Sequence, residues 1–332
     1  MAQPTVSNEN SRRLLQPTTT SPTDPSGKSK LLQQLTEDGF VVIPSLLSPE
    51  LLASLRDACA AVTRLGRTGE WPHVRTMGKQ FPPWPRDKET IVRAGIWGVQ
   101  GLMNPSLHPE HSRLFAAAYF SDAVLDPVCE LLACGRGELV MELLNLLVRP
   151  AGSFELRWHR DDVPSAAPED EERERLGLGA AEGGAGGAGG GKKKARHAQY
   201  NLALYPDDSL IVIPGSHSRV RTKLEREAGD YEEELPDMLK VHLNEGDCVF
   251  YDNNILHRGV YDESKERMTL HGSVGHVAAG TKRARNVLQH GVGEWVGECD
   301  FKELGETAEG MRKRLMELGR DAGPDVGFSL EG

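Results

Sequence analysis

The chain has no apolar stretch approaching the roughly 18–20 residues that a bilayer-crossing helix needs, so no transmembrane segment is expected. Its opening, MAQPTVSNENSRRLLQPTTTSPTDPSGKSK, lacks the apolar centre of a secretory signal, and its last residues, GFSLEG, do not form a peroxisomal tripeptide. A cytoplasmic location is the expectation. Cysteine is scarce: Cys59, Cys129, Cys134, Cys248 and Cys299 are an odd number with no CxxC pair. That pattern argues against a disulfide framework and for buried, reduced thiols. Positive charge is in deficit, with 39 Lys and Arg against 49 Asp and Glu and a net charge of -10. Nucleic-acid binding, which draws on clustered cations, is therefore not expected, nor is an anionic membrane surface as partner. Aromatic residues are only 6% and apolar residues 38% of the chain, enough for a sizeable core but not a rich one. No solenoid-type repeat is present.

What is there begins with punctuation. Glycine (36) and proline (20) are abundant, which predicts many turns and at least one flexible tract. Residues 1–28 are Pro/Ser/Thr-rich without hydrophobic periodicity and read as a disordered tail, leaving 29–332 as one domain. Leu31, Leu32 and Leu35 share a helical face, Gly39 ends that helix, and Phe40 to Ile43 are β-prone. Ser48 then caps a helix with Pro49 in its first turn and Leu51, Leu52 and Leu55 at helical spacing. Residues 67–90 read as a long irregular covering loop carrying Trp71, Phe81 and Trp84. Residues 109–134 read as helices. From Glu138 onward short strand-like runs alternate with turns, and several in succession suggest a barrel or jelly roll. Within them, roughly 165–197, lies a low-complexity insertion, acidic EDEERER and then GGAGGAGGGKKKAR, expected as a solvent-exposed excursion. Gly186 to Lys192 fits GxxxxGK, but Lys193 stands where a phosphate loop needs Ser or Thr. Residues 303–318 read as an amphipathic helix presenting Leu304, Met311, Leu315 and Leu318.

The chemistry concentrates in RWHRDD at 157–162. On a strand, residues two apart point to the same face, so His159 and Asp161 can reach one metal ion while Trp158 and Arg160 face away. The same geometry selects Asp161 over Asp162. A third ligand is available from His257, after the apolar strand Cys248 to Tyr251 and an Asp/Asn turn. Two histidines and one carboxylate, with the other positions open, form the facial triad of non-haem Fe(II) oxygenases. Ten residues later comes Arg267, followed by Thr269 on the same face. A buried arginine needs an anion, and its guanidinium matches a carboxylate, here the far carboxylate of a dicarboxylate co-substrate. For the other histidines plainer roles are expected. His217 belongs to a turn, His271 and His276 lie on a strand with His271 as a hydrogen-bonded core residue, and His108 and His111 lie at the surface. Trp71, Trp84 and Trp97 either line a pocket or pack the core.

These pieces together resemble the phytanoyl-CoA dioxygenase family of Fe(II)/2-oxoglutarate-dependent oxygenases. The matching segments are LTEDGFVVIPSLLSPELLASLRDA, WHRD, SLIVIPGSHSR, GDCVFYDNNILHRG and ERMTL, covering about residues 30 to 277 in order. The resemblance implies a mainly β fold with flanking helices, built on a double-stranded β-helix (jelly-roll, cupin-like) core. It implies iron held by His159, Asp161 and His257, and 2-oxoglutarate anchored by Arg267 with help from Thr269. Many relatives add one more polar contact to 2-oxoglutarate. Two residues before the first histidine this is Arg157 here, and on an earlier strand it is Arg93 or Gln100. The Gly/Lys-rich insertion departs from the family pattern. Because Asp161 is present rather than the Gly or Ala of related halogenases, the resemblance implies hydroxylation or another halide-free oxidation. The expected reaction oxidises a small organic metabolite while 2-oxoglutarate and O2 become succinate and CO2, in a monomer or weak homodimer. The alternatives are an acyl-CoA 2-hydroxylase of the phytanoyl-CoA type, a non-catalytic jelly-roll binding module, and a zinc hydrolase using the same triad.

Overall fold

The computed structural model describes residues 29–80, 83–178 and 196–320. The predicted tail at 1–28, Phe81 and the Gly/Lys-rich part of the predicted insertion lie outside these residues.

The chain is ordered by its caps. Ser29 accepts a 3.1 Å hydrogen bond from the Leu32 amide and starts the helix Lys30–Asp38, which buries Leu31 and Leu35 and leaves Leu32 half-buried. Gly39 ends it at φ +82°, donating its amide to the Leu35 carbonyl at 2.9 Å. Only glycine fits here, because a Cβ would also lie 2.4 Å from the His217 ring. Strand β1 (Phe40–Ile43) follows, and Ser48 then caps the helix Pro49–Arg67 with Pro49 in its first turn.

The remaining strands are β2 (Val74–Thr76), β3 (Ile96–Val99), β4 (Leu139–Val148), β5 (Phe154–Glu155) and β6 (His197–Ala203). After them come β7 (Leu210–Ile213), β8 (Leu239–Lys240), β9 (Cys248–Tyr251), β10 (Leu256–Tyr261) and β11 (Met268–His276). They form a seven-stranded sheet, β1-β9-β6-β11-β4-β3-β2, and a four-stranded sheet, β5-β10-β7-β8. All their pairings are antiparallel. Alternation divides the faces. Met268, Leu270 and Val274 of β11 join the large core under the helices, with Leu55, Leu125 and Leu315. Val249 of β9 and Ala203 of β6 meet Leu210 and Val212 of β7 in a smaller core between the sheets. The expected mainly β fold with flanking helices, a jelly roll of two facing sheets, is what forms.

Two segments differ from expectation. The stretch at 67–90 is not wholly irregular: it contains β2 and the start of the helix Lys88–Ala94. Trp71 packs in the helix-side core, while Trp97 packs against Leu147, Leu156 and Tyr261 on the interior side. The insertion is also not wholly an exposed excursion. Its acidic run forms the helix Glu169–Arg175, and Glu172 is completely buried, bonded by Arg160, Arg221 and Arg226. Burying a carboxylate is costly alone, and three guanidinium partners offset that cost. The C-terminal helix runs Glu306–Arg320 and buries Met311 and Leu315 as expected, with Leu304 in a preceding 3-10 turn. All five cysteines are free. No helix among the described residues is long and apolar enough to cross a membrane.

Candidate metal centre

The centre is assembled by one backbone bridge. His257 lies on β10, where Leu256 packs outward against Trp158 and Ile211 and His257 faces the interior. Strand β5 is only two residues long, so the HxD segment is extended chain rather than the regular strand expected, and a bridge from His159 to His257 holds it. The two residues exchange N–H···O bonds of 3.0 Å each way. That places their rings side by side, with centroids 4.2 Å apart. Asp161 is fixed in turn by its amide, which donates to the Asn253 carbonyl at 2.8 Å.

Both imidazoles are oriented alike. Nδ1 of His159 lies 2.7 Å from the Arg157 carbonyl, and Nδ1 of His257 lies 2.8 Å from the Ile255 carbonyl. A carbonyl only accepts, so each Nδ1 carries the proton and each Nε2 is left with its lone pair. Those two Nε2 atoms face Oδ1 of Asp161 at 3.6 and 3.8 Å. Two ligand atoms each about 2.1 Å from one metal stand about 3–3.5 Å apart, so the three donors nearly fit a shared cation without rearrangement. Burial first, and the adjacent His257 second, push the His159 pKa well down, which keeps a ligand-competent neutral ring. Burial raises the Asp161 pKa, with Asp162 adding to the shift and His257 and Gln199 opposing it. A cation in contact would relieve that desolvated carboxylate. The other oxygen of Asp161 accepts a 3.0 Å hydrogen bond from Nε2 of Gln199. The side chain of Asp161 is 29% exposed against 6% and 7% for the two histidines, so the centre opens on the Asp161 side.

Arg267 lies just before β11 and is buried. Its Nε donates to Oδ2 of Asp207 at 3.0 Å, and its guanidinium stacks 4.3 Å from the centre of the Tyr261 ring. Nη1 is buried without a hydrogen-bond partner. Asp207 thus orients the arginine and leaves part of its donor fork open. The Thr269 hydroxyl donates to the same Asp207 oxygen and so braces Asp207, whereas the expectation put it on the far carboxylate of 2-oxoglutarate.

The structure does not bring every expected residue here. Arg93 is an exposed helix residue 4.0 Å from Glu89. Gln100 uses its backbone to bond His73 and Trp71, and it lines a cleft of about 170 Å³ with Trp84, Asn145 and His290, a lining that includes none of the three metal-capable donors. Arg157 is half-buried beside His159, its amide donating to Oε1 of Gln80 at 3.1 Å. His217 packs on the first helix, Nε2 lying 3.3 Å from the Thr36 carbonyl. His271 is hydrogen-bonded as expected, its Nδ1 2.8 Å from Oδ1 of Asn201, but it is half-buried on β11 rather than in the core. His108 caps the helix Pro109–Tyr119 and stacks on His111, both half-buried rather than fully at the surface. Sequence reasoning missed Gln199 and Asn201, although polar residues two apart in the apolar run HAQYNLALY mark an inward polar face. It also missed Asp207, Asn145 and Arg75, which no local pattern marks.

No family profile matches the chain, and no curated protein matches it. Solved structures do. EctD from S. alaskensis, solved with bound Fe, is 15% identical with a TM-score of 0.50, over 80% of this chain and 82% of that one. HygX from Streptomyces hygroscopicus, solved with nickel and 2-oxoglutarate bound, is 17% identical with a TM-score of 0.50, over 77% and 88%. At such identities the likeness is one of fold. The chain has the fold of these two proteins, and the role of its residues rests on their own geometry.

Proposed function

We propose that this protein is an Fe(II)/2-oxoglutarate-dependent dioxygenase of the phytanoyl-CoA dioxygenase type that hydroxylates a small organic metabolite. The observation that carries this reading is the pairing of two features in one interior. Three metal-capable donors converge from His159, Asp161 and His257. On the same side of the sheet pair Arg267 keeps a buried Nη1 with no acceptor. A zinc hydrolase or a binding module has no use for the second feature.

The roles follow from the geometry. His159 and His257 offer neutral Nε2 lone pairs because backbone carbonyls hold the Nδ1 protons. Asp161 supplies the anionic donor, steadied by Gln199. Arg267, held by Asp207 and Tyr261, receives the far carboxylate of 2-oxoglutarate, and Thr269 acts through Asp207. Iron and 2-oxoglutarate, when bound, supply the O2 chemistry that yields succinate and CO2. The apolar walls, Trp97, Leu147, Leu156 and Tyr261, keep the interior poor in water.

The test is succinate release from 2-oxoglutarate by the Fe(II)-loaded protein in air. The reading predicts slow, iron-dependent succinate formation even without the organic substrate, abolished in His159→Ala, Asp161→Ala and His257→Ala. Folded, iron-loaded protein that forms none across a metabolite panel contradicts it.

A further inference from the structure

A second cation faces the interior without an acid to answer it. Arg75, Gly98, Leu147 and Thr269 form one row across β2, β3, β4 and β11. A register shift between Arg75 and Thr76 leaves Trp97 as an extra residue on β3, and such a bulge turns its side chain inward. Gly98 leaves the path clear: a Cβ there would stand 3.1 Å from Cδ of Arg75. The guanidinium thus lies across β3, its carbon 5.2 Å from the Trp97 ring centre and 5.5 Å from that of Trp84.

No carboxylate pairs with Arg75 among the described residues, and its buried Nε has no hydrogen-bond partner. The missing acid sets Arg75 apart: the buried guanidinium groups of Arg160, Arg258 and Arg267, and the half-buried one of Arg283, each hold one. Burial lowers the Arg75 pKa, with Tyr261, Tyr251 and Asp161 opposing the shift, so the charge is carried at a cost no fixed neighbour removes. Asn145 adds a second orphan. It is 3% exposed, faces the interior opposite His271 on β11, and its Nδ2 has no acceptor. Asn145 also borders the cleft that runs past Trp84 and His290. Buried donors without acceptors are costly, and two of them on one wall call for an acceptor-rich ligand.

We infer that Arg75, assisted by Asn145, binds the anionic head group of the organic substrate, a carboxylate or a phosphate ester, against the Trp84 and Trp97 rings. The inference rests on the dioxygenase reading for what happens to that substrate. Arg267 already accounts for the far carboxylate of 2-oxoglutarate. Arg75 reaches in from β2, the edge strand of the large sheet, three strands away from the central β11 that follows Arg267. The substrate would be tethered at its charged end by a planar fork that aromatic rings hold flat, with its carbon skeleton directed toward the His159–Asp161–His257 centre.

The test is calorimetric titration of the full chain with benzoate, phenyl phosphate and uncharged benzamide, in the absence and presence of 2-oxoglutarate. The expected result is saturable binding of benzoate or phenyl phosphate that persists with 2-oxoglutarate bound, with benzamide much weaker. The stronger of the two anions identifies the head group. Arg75→Gln weakens that binding by about ten- to a hundredfold, Arg75→Lys recovers part of it, and Asn145→Leu weakens it with Arg75 in place. The inference is overturned if neither anion binds, if folded Arg75→Gln binds as the unmodified protein does, or if 2-oxoglutarate displaces the probes. In parallel, the Fe(II)/2-oxoglutarate charge-transfer band is recorded anaerobically on the same samples. Arg75-dependent anion binding without that band sinks the dioxygenase reading and leaves the anion site standing. The band without such binding does the reverse.

Discussion

Glu172, from an acidic run at the start of the predicted insertion, accepts a 3.0 Å hydrogen bond from Nε of Arg160, the residue between His159 and Asp161. The same carboxylate also bonds Arg221 and Arg226, and none of its surface reaches solvent. Removing it leaves three guanidinium groups facing each other. Glu172→Ala is expected to cost about 3–5 kcal/mol, as for other buried pairs broken on one side. Because Arg160 also bonds the Ser216 and Asn254 carbonyls, the loss should loosen the HxD segment as well. Urea unfolding checks the first effect and metal titration the second. A midpoint unchanged from the unmodified protein would show that the cluster is not what holds this segment.

Gln199 touches no predicted cofactor, yet its amide donates to the Asp161 oxygen that faces away from the histidines. Gln199→Leu should leave the fold intact and lower Fe(II) affinity by about 10–100-fold, the usual range for groups that orient a ligand. Circular dichroism and a metal titration separate the two effects. Unchanged affinity would remove Gln199 from the centre.

Asp207 and Arg267 give a graded pair of variants. Arg267→Ala should weaken 2-oxoglutarate binding by about tenfold or more, while leaving metal binding at His159, Asp161 and His257 in place. Asp207→Asn keeps the hydrogen-bonding shape but removes the charge that orients the guanidinium, so a smaller loss is expected. A 2-oxoglutarate titration followed by succinate release ranks them. Equal affinity in Arg267→Ala would move the anchor elsewhere.

Acid should destabilise the fold partly through His271. Burial first, then Arg75 and His257, lower its pKa from 6.5 to about 3. The unfolded chain therefore takes up a proton that the folded chain refuses, and stability falls as pH drops through the window from 6.5 to about 3. His271→Asn, which can still bond Asn201, should flatten that slope. Chemical denaturation at pH steps across this window measures it, and an unchanged slope would assign the acid sensitivity to other groups.

Legibility in the sequence followed locality. Gly39, Ser48 and Pro49 act through neighbours a few residues away, so the first helices were readable. The convergence of His159, Asp161 and His257 was legible because residues two apart share a face in extended chain and an apolar strand precedes His257, while their roles remain part of the proposal. Glu172 was not, because its burial depends on Arg160, Arg221 and Arg226 arriving from other segments, and an acidic run otherwise reads as solvated. Arg75 was hidden for the same reason. Its direction is set by a one-residue register shift opposite Trp97 and by the bare backbone of Gly98, which are facts of pairing between strands. The bond of Thr269 to Asp207 was not legible either, since Asp207 lies 62 positions earlier in the chain.

The most direct test of the central claim is an anaerobic titration of the metal-free protein with Fe(II) and then 2-oxoglutarate, recording the visible spectrum. A chelate at an open facial site gives a weak metal-to-ligand charge-transfer band. The account predicts a band that requires both components, saturates at one equivalent of iron and is absent in His159→Ala. A folded protein that binds Fe(II) and 2-oxoglutarate without developing the band would contradict it.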